Sequence, residues 1–276
     1  MFRRTRKTQG IPAFEGRRGG RASLDRYNTN RYDGGTHIPF LPQETTMKVS
    51  GLQKVTLLDY PGKVAATVFL GGCNFRCPYC HNASLVKLTP RTPDLPENEL
   101  FSFLRKRKGL IDGVCVSGGE PLMQDGIEAF IEAIKALGYP VKLDTNGSYP
   151  AKLKSLVEHR LVDYVAMDVK NSPGKYSKTA GVRDDFLPFV RESAAYLLGG
   201  SVDYEFRTTV VKTLHSAGDF TQIGKWLRGA KRYFLQNYRD SEDVLTQGLP
   251  GVDTADLEAY AETLRPYIQD VRIRSD

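Results

Sequence analysis

The sequence predicts an α/β protein folded as an open, partial (β/α)6 barrel. From residue 64 onward, short apolar, β-branched runs alternate with stretches of helical periodicity. Such regular alternation implies a parallel sheet. Six or so units can be distinguished, fewer than the eight of a closed barrel. A further observation marks a site. Three of the four cysteines fall within Cys73-Asn74-Phe75-Arg76-Cys77-Pro78-Tyr79-Cys80, directly after the first of these runs. Folds of this class carry their sites at the C-terminal ends of strands.

Taken in order, residues 1–46 hold nine Lys/Arg and four Asp/Glu, which is +5 of the chain's +7. Rich in Arg, Gly, Thr and Asn and without periodicity, they are expected to form a disordered basic arm. Such an arm is either an RNA- or protein-binding tail or a dispensable extension preceding Met47. The body, 47–276, is close to neutral, so its charge does not argue for nucleic acid. Residues 49–60 are hairpin-like, with Asp59-Tyr60-Pro61-Gly62 as a turn signal. The first barrel strand is 64–70, and Gly71-Gly72 lets the chain turn into the cysteine loop. Pro90, Pro93 and Pro96 mark a loop, and a helix over 97–108 stops at Gly109. Further strands are expected at 111–117, 141–145, 164–169, 203–211, 231–236 and 271–274. Helices are expected over 126–137, 150–159, 184–198, 219–229 and 253–265, with 171–183 as a loop. The clearest helix is 126–137, where Ile127, Phe130, Ile131, Ile134 and Leu137 share one face. No apolar run approaches the ~20 residues of a membrane helix. With four cysteines and no apolar leader, a reducing cytoplasm is the expected location.

Thiolates are soft ligands that select iron–sulfur clusters, zinc or copper(I). A structural zinc would need a fourth protein ligand, His81 or Cys115. A disulfide scaffold is unnecessary in a chain long enough to build its own core. A third reading is a four-iron cluster held by Cys73, Cys77 and Cys80 with one iron left open. Polar groups recur at the other strand ends. Gly118-Gly119-Glu120 is either a simple turn or a place where backbone approaches a ligand and a carboxylate meets an ammonium group. Asp144-Thr145-Asn146-Gly147 has the composition of a capped turn, Asp168 and Lys170 of an ion pair, and Arg207 of a strand residue. Cys115 lies inside a strand and reads as a small core residue.

Together these elements resemble a known family. CxxxCxxC with an aromatic before its last cysteine is the signature of the radical S-adenosylmethionine (SAM) superfamily, and GGEP after a strand resembles its element for the methionine amino group. Cys80-His81-Asn82, DTNG at 144–147 and D-x-K at 168–170 narrow the resemblance to activating enzymes of glycyl-radical enzymes. Gly51-Leu52-Gln53-Lys54 through Leu58-Asp59-Tyr60-Pro61-Gly62 is most similar to the anaerobic ribonucleoside-triphosphate reductase activating proteins. The resemblance covers about residues 48–240. Two departures separate the chain from the pyruvate formate-lyase activating type: DYPG followed by Lys63-Val64 where that type has DGPG-x-R, and Gln236-Asn237 where it has a late histidine.

The resemblance implies a [4Fe-4S] cluster on the three cysteines and SAM chelated to its open iron. It places Tyr79 by the adenine, and Gly118, Gly119 and Glu120 at the amino group. Asp144, Thr145 and Asp168 would stand at the methionine and ribose end, around a monovalent cation, and Asn146 would also bind the cofactor. Lys170 and Arg207 would face the carboxylate or ribose, with Gln236 as a ribose contact. The implied reaction is reductive cleavage of SAM to a 5′-deoxyadenosyl radical, which abstracts a glycine Cα hydrogen. Its protein substrate would be a glycyl-radical enzyme, a large anaerobic reductase. Its electron donor would be a flavodoxin or ferredoxin, with no membrane. Alternatives are the activation of another glycyl-radical enzyme, a small-molecule radical SAM reaction, or a non-enzymatic zinc or RNA-binding role.

Overall fold

The computed structural model describes residues 47–274, and the expected arm at 1–46 lies outside the described residues. Eight strands form one sheet in simple sequential order: β1 Val49–Thr56, β2 Ala65–Leu70, β3 Gly113–Gly118, β4 Val141–Thr145, β5 Tyr164–Asp168, β6 Asp203–Val210, β7 Arg232–Asn237 and β8 Asp270–Arg274. Strand β1 pairs antiparallel with β2, completing the expected hairpin. All later pairings are parallel. The six crossovers between β2 and β8 are the expected β/α units. The first and last strands remain the two edges of the sheet, so the barrel is open.

The main helices of the crossovers are close to their expected positions. They are α2 Glu97–Lys106, α3 Ile127–Ala136, α4 Pro150–Glu158, α6 Leu187–Leu198, α7 Ala217–Trp226 and α8 Thr254–Leu264. Two short helices were not foreseen: α1 Ala83–Val86, after the cysteines, and α5 Tyr176–Ala180, inside the expected loop 171–183. Helix α7 begins earlier than expected. Ser216 and Asp219 form a reciprocal capping box that satisfies its first N–H groups.

Strand alternation decides what each face of the sheet does. Val114, Val116, Leu143, Val165, Met167, Phe206 and Leu235 are fully buried apolar residues. With helix residues such as Ile127, Phe130, Ile131 and Ile134 of α3 they form one continuous core. Burying side chains of this size contributes about 1.5–3 kcal/mol each. The alternate residues, among them Cys115, Ser117, Lys142, Asp144, Asp168 and Arg207, bond to one another across β3 to β6. The barrel interior is therefore polar, and it leads to the ends of the strands where the cysteine loop sits. Among the described residues no helix is long and apolar enough to cross a membrane.

Candidate active site

The three cysteines follow β2 on one loop, and all are free thiols. Burial pushes Cys73 up to about 12 and Cys77 up to about 11, and it raises Cys80 as well. Such thiols stay protonated until a cationic partner takes them as thiolates. The loop is pinned on both sides. The Arg76 backbone N–H donates to Ala180 O at 2.9 Å, and the Arg76 guanidinium folds back onto Cys73 O and Phe75 O. The Asn82 amide donates to Gly118 O at 3.2 Å. Asn74 donates to Ser148 at 2.9 Å and accepts from Asn146 at 3.0 Å.

The Gly118-Gly119 pair has a steric reason. Gly118 has φ +127, and a Cβ there would lie 2.2 Å from Leu70 O. At Gly119 a Cβ would lie 2.0 Å from Gly72 O. The end of β3 is thus pressed against the backbone that launches the cysteine loop, and no side chain fits between them.

Beside this loop runs a row of alternating charges on three adjacent strands. Lys142 pairs with Asp144, and the Arg207 Nη1 lies 3.3 Å from Asp144 Oδ2. The Arg207 Nε donates to Asp168 Oδ1 at 2.7 Å, and Lys170 lies 3.0 Å from Asp168 Oδ2. Burial pushes both carboxyls up. The neighbouring cations outweigh it, Arg207 foremost, and hold Asp144 below the usual range and Asp168 further below. Burial works against the charge on Lys170 and Arg207 too, but the carboxylates beside them raise both.

These groups meet around one cavity of about 170 Å³. Cys73, Cys77, Tyr79, Cys80, Gly118, Gly119, Asp144, Thr145, Asn146, Asp168, Lys170 and Arg207 all line it. Glu120 and Gln236 do not. Glu120 is fully buried, and its carboxylate accepts from the Leu122 N–H at 3.1 Å, the Thr145 hydroxyl at 2.8 Å and the Asn146 N–H at 2.7 Å. These bonds let Glu120 brace the turn after β4. Gln236 is one strand beyond Thr209, a residue that does line the cavity.

Sequence reading missed Lys142, Asn74, Ser148 and Thr209. It also missed His215, whose Nε2 lies 2.9 Å from Lys170 O and whose ring meets Tyr79 edge-on. Only Lys142 carried a local signal, since it stands two residues before Asp144 and so on the same strand face. His81 is stacked on Tyr238 and bonded to Arg239 O. Cys115 is fully buried within the sheet, 3.7 Å from the Lys142 ammonium.

The residues fit a cluster and SAM. Three thiols of one loop line the cavity, and glycine backbone faces it. The Tyr79 hydroxyl is buried without a hydrogen-bond partner among the described residues, a donor suited to a ligand. A monovalent cation fits less well. Both Asp144 oxygens and both Asp168 oxygens already meet Lys142, Ser117, Arg207 or Lys170, and the Thr145 hydroxyl is given to Glu120.

The radical SAM superfamily model matches residues 67–214, just over half of the chain. A Methanocaldococcus jannaschii protein provisionally named a glycyl-radical enzyme activating enzyme is 32% identical over 236 residues, spanning 82% of this chain and 95% of its own. A pyruvate formate-lyase-activating enzyme of Listeria monocytogenes is 32% identical over 166 residues, 54% of this chain and 65% of that one. Streptococcus suis SuiB bound to S-adenosylmethionine shares the fold, with TM-score 0.58 and 18% identity over 74% of this chain and 48% of its own. With the cysteine loop, the open parallel barrel and these matches in agreement, the chain belongs to the radical SAM superfamily, whose enzymes use a [4Fe-4S] cluster and S-adenosylmethionine.

Proposed function

We propose that this radical SAM enzyme activates a glycyl-radical enzyme by removing a glycine Cα hydrogen atom, and that its partner is an anaerobic ribonucleoside-triphosphate reductase in the cytoplasm. The observation that carries the reading is the single cavity in which three free thiols face Arg207 and Lys170 at the open end of the barrel. The near full-length relative named for glycyl-radical activation supports the class of substrate. The GLQK and DYPG segments around β1 support the reductase as partner.

In this reading Cys73, Cys77 and Cys80 hold the cluster. When bound, cluster and SAM together supply the one-electron chemistry that starts hydrogen-atom abstraction, with a flavodoxin or ferredoxin as the electron source. The chain's own residues bind and orient. Gly118 and Gly119 offer backbone to the methionine end, Arg207 and Lys170 offer positive charge to the carboxylate, and Tyr79 offers its hydroxyl. No residue need act as a general base, because a hydrogen atom rather than a proton is transferred. The missing pairing between the edge strands β1 and β8 gives a substrate loop a way in.

Anaerobic reconstitution should yield about four irons and four sulfides per chain, as one [4Fe-4S] cluster requires, and the reduced EPR signal should shift on adding SAM. Cys73→Ala, Cys77→Ala and Cys80→Ala should each lose the cluster, while Cys115→Ala keeps it. Incubation with the reductase should produce a glycyl radical by EPR. SAM cleavage without any radical on the reductase would reject that partner.

A further inference from the structure

The two carboxylates at the heart of the cavity need counter-charge, and the chain itself supplies more than enough. Lys142, Arg207 and Lys170 stand against Asp144 and Asp168, three positive charges to two negative, so a net +1 remains. The innermost cation is the unusual one. The Lys142 side chain is 1% exposed, on a strand interior, with Asp144 as its ion-pair partner and the Cys115 sulfur as its other polar contact. A buried ammonium of this kind persists only where a carboxylate holds it.

We propose that Lys142 is the built-in counter-cation of the SAM pocket, occupying on Asp144 the place that a bound monovalent cation would take. The inference rests on the cavity being a SAM site and adds a property to it: SAM binding by this chain is independent of K⁺ and Na⁺. Three features support it. Lys142 meets Asp144 Oδ1, while Ser117 and Arg207 meet Oδ2, so each oxygen of Asp144 already has a cationic partner. Lys142 and Asp144 stand at i and i+2 on β4, so strand geometry fixes the contact without any loop rearrangement. The hydroxyl of Thr145, next along the chain, is turned to Glu120. The remaining net charge is then free to meet the carboxylate of the ligand.

The test is SAM affinity by equilibrium dialysis on anaerobically reconstituted full-length protein, at constant ionic strength in the chlorides of K⁺, Na⁺ and tetramethylammonium. Wild type should vary by less than about twofold across the three salts. Lys142→Met should bind SAM at least tenfold more weakly in tetramethylammonium and recover severalfold in K⁺, because the vacated position then admits a small cation. A merely structural lysine would lower affinity equally in every salt, and that result would overturn the proposal. A wild type that needs K⁺ or Na⁺ for tight binding would overturn it without any variant, even should Lys142→Met fail to fold. A cluster-loaded wild type that binds SAM in none of the salts would instead reject the cavity as a SAM site, and this proposal with it.

Discussion

Glu120 is a carboxylate with three donors and no solvent. Burial dominates those bonds and pushes its carboxyl up from 4.5 to about 7. The sign of the consequence follows from linkage. Between about 4.5 and 7 the unfolded chain has released a proton that the folded chain keeps, so stability is fully present below that window and is lost as pH rises through it. At 1.36 kcal/mol per unit, the loss is on the order of 3 kcal/mol. Glu120→Gln, which carries no charge at any pH, should flatten this part of the profile. Urea unfolding of cluster-free protein at pH 5 and pH 8 provides the check, and equal slopes for wild type and variant would exclude the assignment. The same residue shows a limit of sequence reading. The glutamate after Gly118-Gly119 was legible as a strand-end carboxylate, but its bonds to Thr145 and Asn146, some 25 residues away, were not.

At the level of elements, the strand ends were legible because their chemistry is local. Three cysteines, a glycine pair and an Asp-Thr-Asn-Gly turn announce themselves without any tertiary information. Lys142 was not legible, because Val141-Lys142-Leu143-Asp144-Thr145 has the alternation of a strand with one face in water, whereas here the polar face lines the barrel. Helix α5 is five residues long, too short to show a period. The contact between β3 and the start of the cysteine loop makes a direct prediction. Gly119→Ala should displace the loop, since its Cβ would meet Gly72 O, and should lower iron retention severalfold with little change in circular dichroism. Gly174→Ala, at a position with nothing within 4 Å, is the control and should load normally. Equal iron content in the two variants would show that the loop tolerates the shift.

For the whole molecule, the β/α rhythm was enough to foresee a parallel, open sheet, because each strand pairs with its sequence neighbour. The described fold starts at Met47, whose backbone N–H donates to Glu97 Oε1 at 2.6 Å. A chain beginning at Met47 would place its terminal ammonium beside that carboxylate, and it should retain both its melting temperature and SAM cleavage. A truncated protein that folds but cannot cleave SAM would assign residues 1–46 to the reaction. The lacing of the strand ends has a consequence for biogenesis. Asn82 reaches Gly118, Asn74 reaches Ser148 and Asn146, and Arg76 reaches Ala180, across sequence separations of 36 to about 100 residues. Contacts of such range form late in folding, after the loop-closure entropy has been overcome. The eight-residue cysteine segment emerging from a ribosome is therefore only a flexible thiol-bearing peptide. Iron delivery to the laced loop would follow the assembly of β2 through α5, so the maturation machinery would meet a half-built barrel rather than a bare peptide.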